Sequence, residues 1–292
     1  MPFADSTGVK LYYEEAGRGT PIVFVHEFSG DLRSWEMQMR HFSRRYRCIA
    51  FNARGYPPSA VPATVSMYSH RRATDDIANL MRRLGVGRAH VIGCSMGAYS
   101  TLQFGLRYPR RALSLTVIGA GAGSDPAAHK QFLKASAATA KRFEEEGLAA
   151  AMRPYRTAGN RIQLGNKDPH AFREFFRRFR EHSALGHANT IRGIQMRRPP
   201  LRAMAGPLSR LNVPTHVVVG DEDETSLDTG IFLKRVCAAA RLTIVPATGH
   251  VVNNEEPGFF NRITDEFLAL VDSGRWRARD PRSLNPSTMA KK

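Results

Sequence analysis

Ser95 is the side chain of this sequence best placed for covalent chemistry, because it lies in the segment GCSMG, residues 93–97. An apolar run precedes the segment at residues 89–92, and a helical pattern follows it over residues 96–108. A glycine two residues away on each side suits a sharp turn from strand into helix, since a Cβ atom at either position would find no room. Such a turn would expose the Ser95 hydroxyl as a nucleophile. The plainer alternative is a tight turn with a solvated serine.

A serine nucleophile needs a general base, and the base needs a carboxylate to orient it. The base candidate is His250, which lies in the segment ATGHV, residues 247–251, directly after the last apolar run. The preceding apolar run is followed by four acids, which could equally form a solvated loop: Asp221, Glu222, Asp223 and Glu224. The chain order serine, acid, histidine is compatible with a catalytic triad.

These candidates require a scaffold that brings the ends of several strands together. Short apolar runs typical of buried parallel strands occur at residues 21–26, 48–51, 89–92, 114–118, 215–219 and 242–245. Helical patterns lie between them, for example over residues 75–84, which Gly85 ends. The alternation predicts a doubly wound α/β sheet, in which the loops after neighbouring strands meet at one edge. Residues 9–14 suit an antiparallel edge strand.

Residues 121–209 interrupt the alternation, because they contain helical patterns and no convincing strand. The run at residues 215–219 resumes the same strand type, so an insertion in one sheet explains the segment better than an independent domain. We therefore predict a core formed by residues 1–120 and 210–272, a helical insertion at residues 121–209 and a basic tail at residues 273–292. The tail contains Pro281 and Pro286, and we expect it to be mobile.

At this point the sequence resembles the α/β-hydrolase superfamily, over residues 8 to about 270. The segments that carry the resemblance are residues 26–28 (HEF), Trp35, residues 52–56 (NARGY), residues 93–97 (GCSMG), residues 220–223 (GDED) and residues 249–250 (GH). The resemblance implies the α/β-hydrolase fold, a mostly parallel twisted sheet with helices on both faces.

The same resemblance implies a role for each candidate of the triad. Ser95 corresponds to the nucleophile and His250 to the base. Asp223 corresponds to the orienting acid, since the family pattern Gly-x-x-Asp falls on Gly220 and Asp223. Asp125, which follows the apolar run at residues 114–118, is the alternative acid, because some members of the superfamily place the acid after that strand. A serine at position 95 argues against haloalkane dehalogenase and epoxide hydrolase, which place an aspartate there.

The oxyanion hole implied by the resemblance consists of the backbone N–H groups of Phe28 and Met96. The family usually has His-Gly where this chain has His26-Glu27. A backbone donor does not depend on the preceding side chain, so we expect the oxyanion hole to be retained. Glu27 is expected to pack in its loop, to pair with a cation such as Arg54, or to contact the substrate.

The resemblance further implies that residues 121–209 form a cap that lines the substrate pocket. Within it Phe172, Phe175, Phe176 and Phe179 recur at helical spacing, with arginines on another face. We expect this stripe to dock the helix on its neighbours; a lid or membrane-surface helix is the alternative. Arg177 and Arg178 are expected to be solvated. Arg197, Arg198 and Arg202 are expected to be solvated as well, with recognition of an anionic substrate as their alternative.

The formal net charge of +17 is concentrated in two segments. Residues 121–209 hold 16 lysines and arginines against 7 acids, and residues 273–292 hold 6 against 1, so the remainder is nearly neutral. No nucleic-acid motif accompanies this charge, and we expect no specific nucleic-acid partner. The widely spaced Cys48, Cys94 and Cys237 indicate neither a disulfide framework nor a zinc site, and we expect no metal and no cofactor. With no leader or membrane-spanning run in the sequence, a cytoplasmic protein is expected.

Three classes of function compete. The first is a serine hydrolase that cleaves an ester, lactone or related acyl bond of a small molecule; carbon–carbon bond hydrolase and cofactor-free perhydrolase are alternatives that use the same triad. The second is a receptor-like use of the fold with little turnover. The third is a protein that binds nucleic acid or anionic surfaces. The complete set of triad residues favours the enzyme, while the substrate and the oligomeric state, a homodimer included, stay open.

Overall fold

The computed structural model describes residues 2–284 and is built around an eight-stranded sheet. The strands are β1 (Phe3–Ser6), β2 (Val9–Ala16), β3 (Pro21–Val25), β4 (Arg47–Phe51), β5 (Ala89–Cys94), β6 (Ala112–Ile118), β7 (Thr215–Gly220) and β8 (Ala240–Val245). Their order is β1-β2-β4-β3-β5-β6-β7-β8. β1 and β2 pair antiparallel, as do β2 and β4, and the neighbours from β4 to β8 pair parallel. The predicted fold is confirmed, but β1 was not predicted, because its sequence FADS is short and weakly apolar. The expectation of an edge strand at residues 9–14 is therefore wrong, since β2 lies between β1 and β4.

Helices connect the strands on both sides of the sheet. They are α1 (Glu36–Phe42), α2 (His70–Arg83), α3 (Met96–Arg107), α4 (Pro126–Ala151), α5 (Arg153–Arg156), α6 (Ile162–Lys167), α7 (Pro169–Phe179), α8 (Ala184–Thr190), α9 (Ala205–Ser209), α10 (Leu227–Val236), α11 (Val252–Glu255) and α12 (Pro257–Asp272). Shorter 3-10 turns occupy Leu32–Trp35, Val65–Met67, Pro109–Arg111, Gly159–Arg161, Leu201–Met204 and Pro281–Leu284, and a π-helix occupies Ile191–Gln195.

The sheet separates two hydrophobic cores. On one face, side chains of α2, α3 and α10 pack against the strands, with Leu80, Leu102 and Leu233 buried among them. On the other face, Trp35 and residues of α1 and α12 form the second core. Because the central strands are covered on both faces, β5 and β7 are buried at every position, which explains their continuous apolar runs.

The chain between β6 and β7 contains α4 to α9 and no strand, and we call residues 119–214 the inserted segment. Its helices form a third apolar cluster with residues of the sheet edge, in which Phe143, Phe176 and Phe179 pack with Phe28 and Met96. The phenylalanine stripe of α7 therefore faces inward, while Arg173, Arg177 and Arg180 are exposed. This agrees with the docking role predicted for the stripe.

No helix within residues 2–284 is long and apolar enough to span a bilayer. The predicted tail is described only in part, with a 3-10 turn at Pro281–Leu284. Residues 285–292 lie outside the described residues, so the mobility of the tail stays a prediction.

Candidate active site

Ser95 sits on the sharp turn between β5 and α3. Its backbone has φ 53° and ψ −112°, a conformation that costs a non-glycine residue about 1–3 kcal/mol. The turn is held by the Ser95 N–H, which donates to the Ile118 carbonyl at 2.7 Å. A Cβ atom at Gly93 would collide with the Gly97 carbonyl, and one at Gly97 would collide with the Val25 carbonyl. The two glycines are therefore required by the close approach of backbone around Ser95.

His250 and Asp223 come together at the carboxyl ends of β7 and β8. His250 Nδ1 lies 2.6 Å from Asp223 Oδ2, and Thr225 Oγ1 donates to the other carboxylate oxygen at 2.8 Å. Burial alone would lower the pKa of His250, but the charge of Asp223 and this hydrogen bond outweigh it and raise the pKa. Burial likewise opposes the ionised form of Asp223, yet the contact with His250 keeps its pKa below the usual value. The imidazole is thereby oriented, with Nδ1 donating to the carboxylate.

The loop that carries His250 is fixed through its backbone. Glu255 accepts hydrogen bonds from the N–H groups of Gly249 and Val251, at 2.6 and 3.0 Å. The N–H of His250 itself donates to the Asn160 carbonyl of the inserted segment at 3.0 Å. Sequence analysis missed Glu255 and Asn160. An acid a few residues after the histidine was the one available signal for Glu255, and nothing in the sequence pairs residue 160 with residue 250.

Two backbone donors lie unused beside Ser95. Within residues 2–284, neither the N–H of Phe28 nor that of Met96 donates to a protein acceptor. The loop of Phe28 is positioned by Tyr56, whose hydroxyl donates to the Phe28 carbonyl at 2.8 Å. His26 accepts from the Ala53 N–H through Nε2, so its Nδ1 carries the proton that binds the Glu27 carbonyl at 2.6 Å.

One cavity of about 280 Å³ collects these groups. The sheet edge contributes Glu27, Phe28, Ser95, Met96 and His250, and the inserted segment contributes Phe132, Ser136, Tyr155, Arg161, Gln195 and Arg198. Within the described chain no hydrogen bond joins the hydroxyl of Ser95 to His250, a contact that often tightens only when substrate binds.

Residues 20–257 match the sequence pattern of the family described as alpha/beta hydrolase fold. The chain belongs to the alpha/beta hydrolase fold family. Relatives of this hydrolase include 2-hydroxy-6-oxononadienedioate/2-hydroxy-6-oxononatrienedioate hydrolase of Burkholderia vietnamiensis, 26% identical over 90% of this chain and 92% of the relative. 3-Oxoadipate enol-lactonase 1 of Acinetobacter baylyi is 23% identical over 86% of this chain and 89% of the relative. In fold the hydrolase is also similar to a thermophilic esterase from Thermogutta terrifontis, with a TM-score of 0.82, 24% identity, and 92% and 98% of the two chains covered.

Glu27 of this hydrolase pairs with a different cation from the one suggested by sequence. Its Oε2 is bound by Arg161 Nη2, whereas Arg54 is buried in an ion pair with Asp76 at 2.7 Å. The proposed Glu27–Arg54 pair is therefore wrong, because Arg54 is already neutralised by an acid of α2. The partner Arg161 lies 134 residues away in the inserted segment and had no sequence signal. Contact of Glu27 with substrate stays a prediction.

Asp125, the alternative acid, is exposed and does not contact His250. Its carboxylate accepts from the Ala127 N–H at 2.9 Å and so begins α4 as an N-cap. Of the two carboxylates, the hydrolase places only Asp223 on the imidazole.

The arginines of the inserted segment differ in their surroundings. Arg177 and Arg197 are exposed, as expected. Arg178 instead joins the inserted segment to the core through Glu36 and the Arg33 carbonyl, and it also pairs with Glu174 one turn earlier in α7. Arg202 lies 5.6 Å from the ring centroid of Phe232 and is half-buried, and Arg198 lines the cavity. The expectation of solvated arginines is thus wrong at Arg178, Arg198 and Arg202, because each is covered by neighbouring elements.

Proposed function

We propose that this protein is a serine hydrolase that cleaves an ester, lactone or related acyl bond through an acyl-enzyme. The observation that carries the proposal is that Ser95, on its strained turn, shares one cavity with His250, whose Nδ1 is held by Asp223. Two unused backbone N–H groups, of Phe28 and Met96, border the same cavity. The membership of a hydrolase family supports the reaction class.

In the first half of the reaction, Ser95 Oγ attacks the acyl carbon while Nε2 of His250 takes the hydroxyl proton. The negative charge that develops on the acyl oxygen is stabilised by the N–H groups of Phe28 and Met96. Asp223 keeps the proton of His250 on Nδ1, so that Nε2 is available as the base. The tetrahedral intermediate then collapses, and the imidazolium returns its proton to the leaving alkoxide.

In the second half, water attacks the acyl group on Ser95 and gives a proton to Nε2 of His250. Collapse of the second intermediate releases the acid and returns the proton to the Ser95 oxygen. The strained turn contributes by holding Oγ in the cavity before substrate arrives, so little of the alignment has to be made during the reaction.

A second candidate is hydrolysis of a carbon–carbon bond by the same residues. It is favoured by the relative named 2-hydroxy-6-oxononadienedioate hydrolase, which is 26% identical over most of both chains. Perhydrolysis and a receptor-like role with little turnover are the remaining candidates. Assays with an aryl ester, with a vinylogous 1,5-diketone acid and with hydrogen peroxide plus a carboxylic acid distinguish the candidates by product.

The nucleophile is tested with a fluorophosphonate probe and with Ser95→Ala. Because the lost hydroxyl acts in the transition state, we expect ester turnover to fall by about 10³-fold or more, with the melting temperature nearly unchanged. Ser136→Ala is the matched control, since Ser136 lines the same cavity. Labelling of wild type that persists in Ser95→Ala, or near-wild-type turnover by that variant, contradicts the proposal.

The acid is tested by comparing three Asp→Asn variants. We expect Asp223→Asn to lower kcat by about 10³–10⁴-fold, because the imidazole loses its orienting acceptor. Asp221→Asn and Asp125→Asn serve as controls, since Asp221 accepts from the Thr248 N–H and Asp125 caps α4. A larger loss in Asp125→Asn than in Asp223→Asn would overturn the assignment.

A further inference from the structure

Arg198 brings a positive charge into the cavity that no acid neutralises. Among the cavity-lining residues of the described chain, Glu27 is the one acid, and it is already paired with Arg161. No carboxylate within residues 2–284 lies within 4.0 Å of Arg198. The lining therefore holds one guanidinium in excess over its carboxylates.

The guanidinium of Arg198 is held in place with most of its donors unused. Nη2 donates to the Ala122 carbonyl at 2.9 Å, and the group lies 4.8 Å from the ring centroid of Tyr99. A guanidinium has five N–H donors in a planar fork, and this is the one side-chain hydrogen bond that Arg198 donates within the described chain. Burial lowers the pKa of Arg198 to about 10, so the group stays cationic at neutral pH. A half-buried guanidinium that lines a cavity with free donors can bind an anion through charge-assisted hydrogen bonds.

The contacts of Arg198 place it close to the turn that carries Ser95. Tyr99, whose ring lies beneath the guanidinium, begins the second turn of α3, and its N–H donates to the Ser95 carbonyl at 3.0 Å. Ala122 follows β6, which pairs with β5, the strand that immediately precedes Ser95. Arg198 and Ser95 line the same cavity, so an anion bound at Arg198 would share that cavity with the nucleophile. An anion bound there would belong to the same small molecule as the acyl group on Ser95.

We propose that Arg198 binds a carboxylate of the substrate, and that the enzyme prefers acyl substrates that carry a second, ionised carboxyl group a few bonds from the scissile carbonyl. This inference rests on the proposed serine hydrolase activity and specifies its substrate class. Arg161 does not fill this role, because Glu27 already uses its charge.

The test compares two aryl esters that differ at the end of the acyl chain. In 4-nitrophenyl hydrogen glutarate the chain ends in a carboxylate, and in 4-nitrophenyl pentanoate it ends in a methyl group. Selectivity is the ratio of kcat/KM for the glutarate to kcat/KM for the pentanoate, with the rate in Ser95→Ala subtracted as background. We expect wild type to favour the glutarate, and Arg198→Gln to lower the selectivity about 10- to 100-fold, the value of a charge-assisted hydrogen bond.

Arg197→Gln is the matched control, because it removes the same charge from an exposed neighbour that does not line the cavity. We expect its selectivity to equal that of wild type. A second measurement needs no variant: free glutarate is expected to inhibit wild-type pentanoate hydrolysis at concentrations at which valerate does not.

The outcomes separate this inference from the proposed function. Fluorophosphonate labelling of Ser95 and ester turnover with no preference for the glutarate would overturn the role of Arg198 and leave the serine hydrolase standing. Equal losses of selectivity in Arg198→Gln and Arg197→Gln would overturn it as well. Absence of both labelling and turnover would overturn the two together.

Discussion

The buried ion pair between Glu27 and Arg161 makes a quantitative prediction about stability. The side chains are 3% and 4% exposed, so Glu27→Gln would leave the guanidinium of Arg161 out of water without a counter-charge. Breaking a buried pair in this way costs about 3–5 kcal/mol of unfolding free energy. With an unfolding entropy of about 2.1 cal/mol/K per residue, a chain of 292 residues loses roughly 5–8 °C in Tm.

The assay is thermal unfolding followed by circular dichroism at pH 7, with a double-mutant cycle formed by Glu27→Gln, Arg161→Met and their combination. We expect the double variant to be much more stable than the sum of the single losses predicts, because neither charge is then left unpaired. Glu145→Gln is the control, since its pair with Lys141 is 61% and 67% exposed and should contribute less than about 1 kcal/mol.

Two results would refute this reasoning. One is a Tm of Glu27→Gln that differs from wild type no more than the Tm of Glu145→Gln does. The other is a cycle in which the two single losses simply add, which would mean that the charges do not interact.

Three further predictions concern the base, the turn and the sheet. Asp223→Asn removes the charge that raises the pKa of His250. Because activity requires the neutral imidazole, the acid limb of the residual kcat/KM should move to lower pH, and an unmoved limb in a pH–rate profile would contradict this. Gly97→Ala should destabilise the protein to urea by about 1–3 kcal/mol, because the new Cβ meets the Val25 carbonyl; equal midpoints would show that the turn yields. Burial lowers the pKa of His216 to about 4, whereas the imidazole of the unfolded chain titrates near about 6.5. Between these values the unfolded chain binds the proton more readily, so the free energy of unfolding decreases as the pH falls from about 6.5 toward 4. By linkage this loss is about 2 kcal/mol at pH 5, and His216→Gln should show that much less acid destabilisation in urea titrations.

The framework of the site was predictable because local patterns encode it. Continuous apolar runs marked β5 and β7, and Ser95 and Asp223 follow their ends at one edge of the sheet. The glycines on either side of Ser95 are required by close contacts with neighbouring backbone, so their spacing in the sequence indicates the sharp turn. The catalytic roles of these residues remain predictions to be tested by the experiments above.

The charges of the cavity were not predictable, because they depend on how the inserted segment lies on the sheet. Arg161 reaches Glu27 across 134 residues, and a helical pattern specifies a buried face without specifying its partner. Arg198 and the exposed Arg197 are adjacent in sequence, yet only Arg198 lines the cavity. The contribution of Asn160 to the His250 loop is made by a backbone carbonyl, for which residue identity carries no information.

That carbonyl also limits how the cavity can open. The Asn160 carbonyl accepts a hydrogen bond from the backbone N–H of His250. Arg161, the next residue, binds the carboxylate of Glu27, which directly precedes Phe28. Lifting the inserted segment away as one rigid body would break both contacts and release the loops of His250 and Phe28 together. A rearrangement that keeps Asn160 and Arg161 in place would break neither contact, and within the inserted segment the backbone of α4 already leaves helical geometry at Gly147, with φ 74°. The contacts that seat the inserted segment are thus the same contacts that fix the loops of His250 and Phe28.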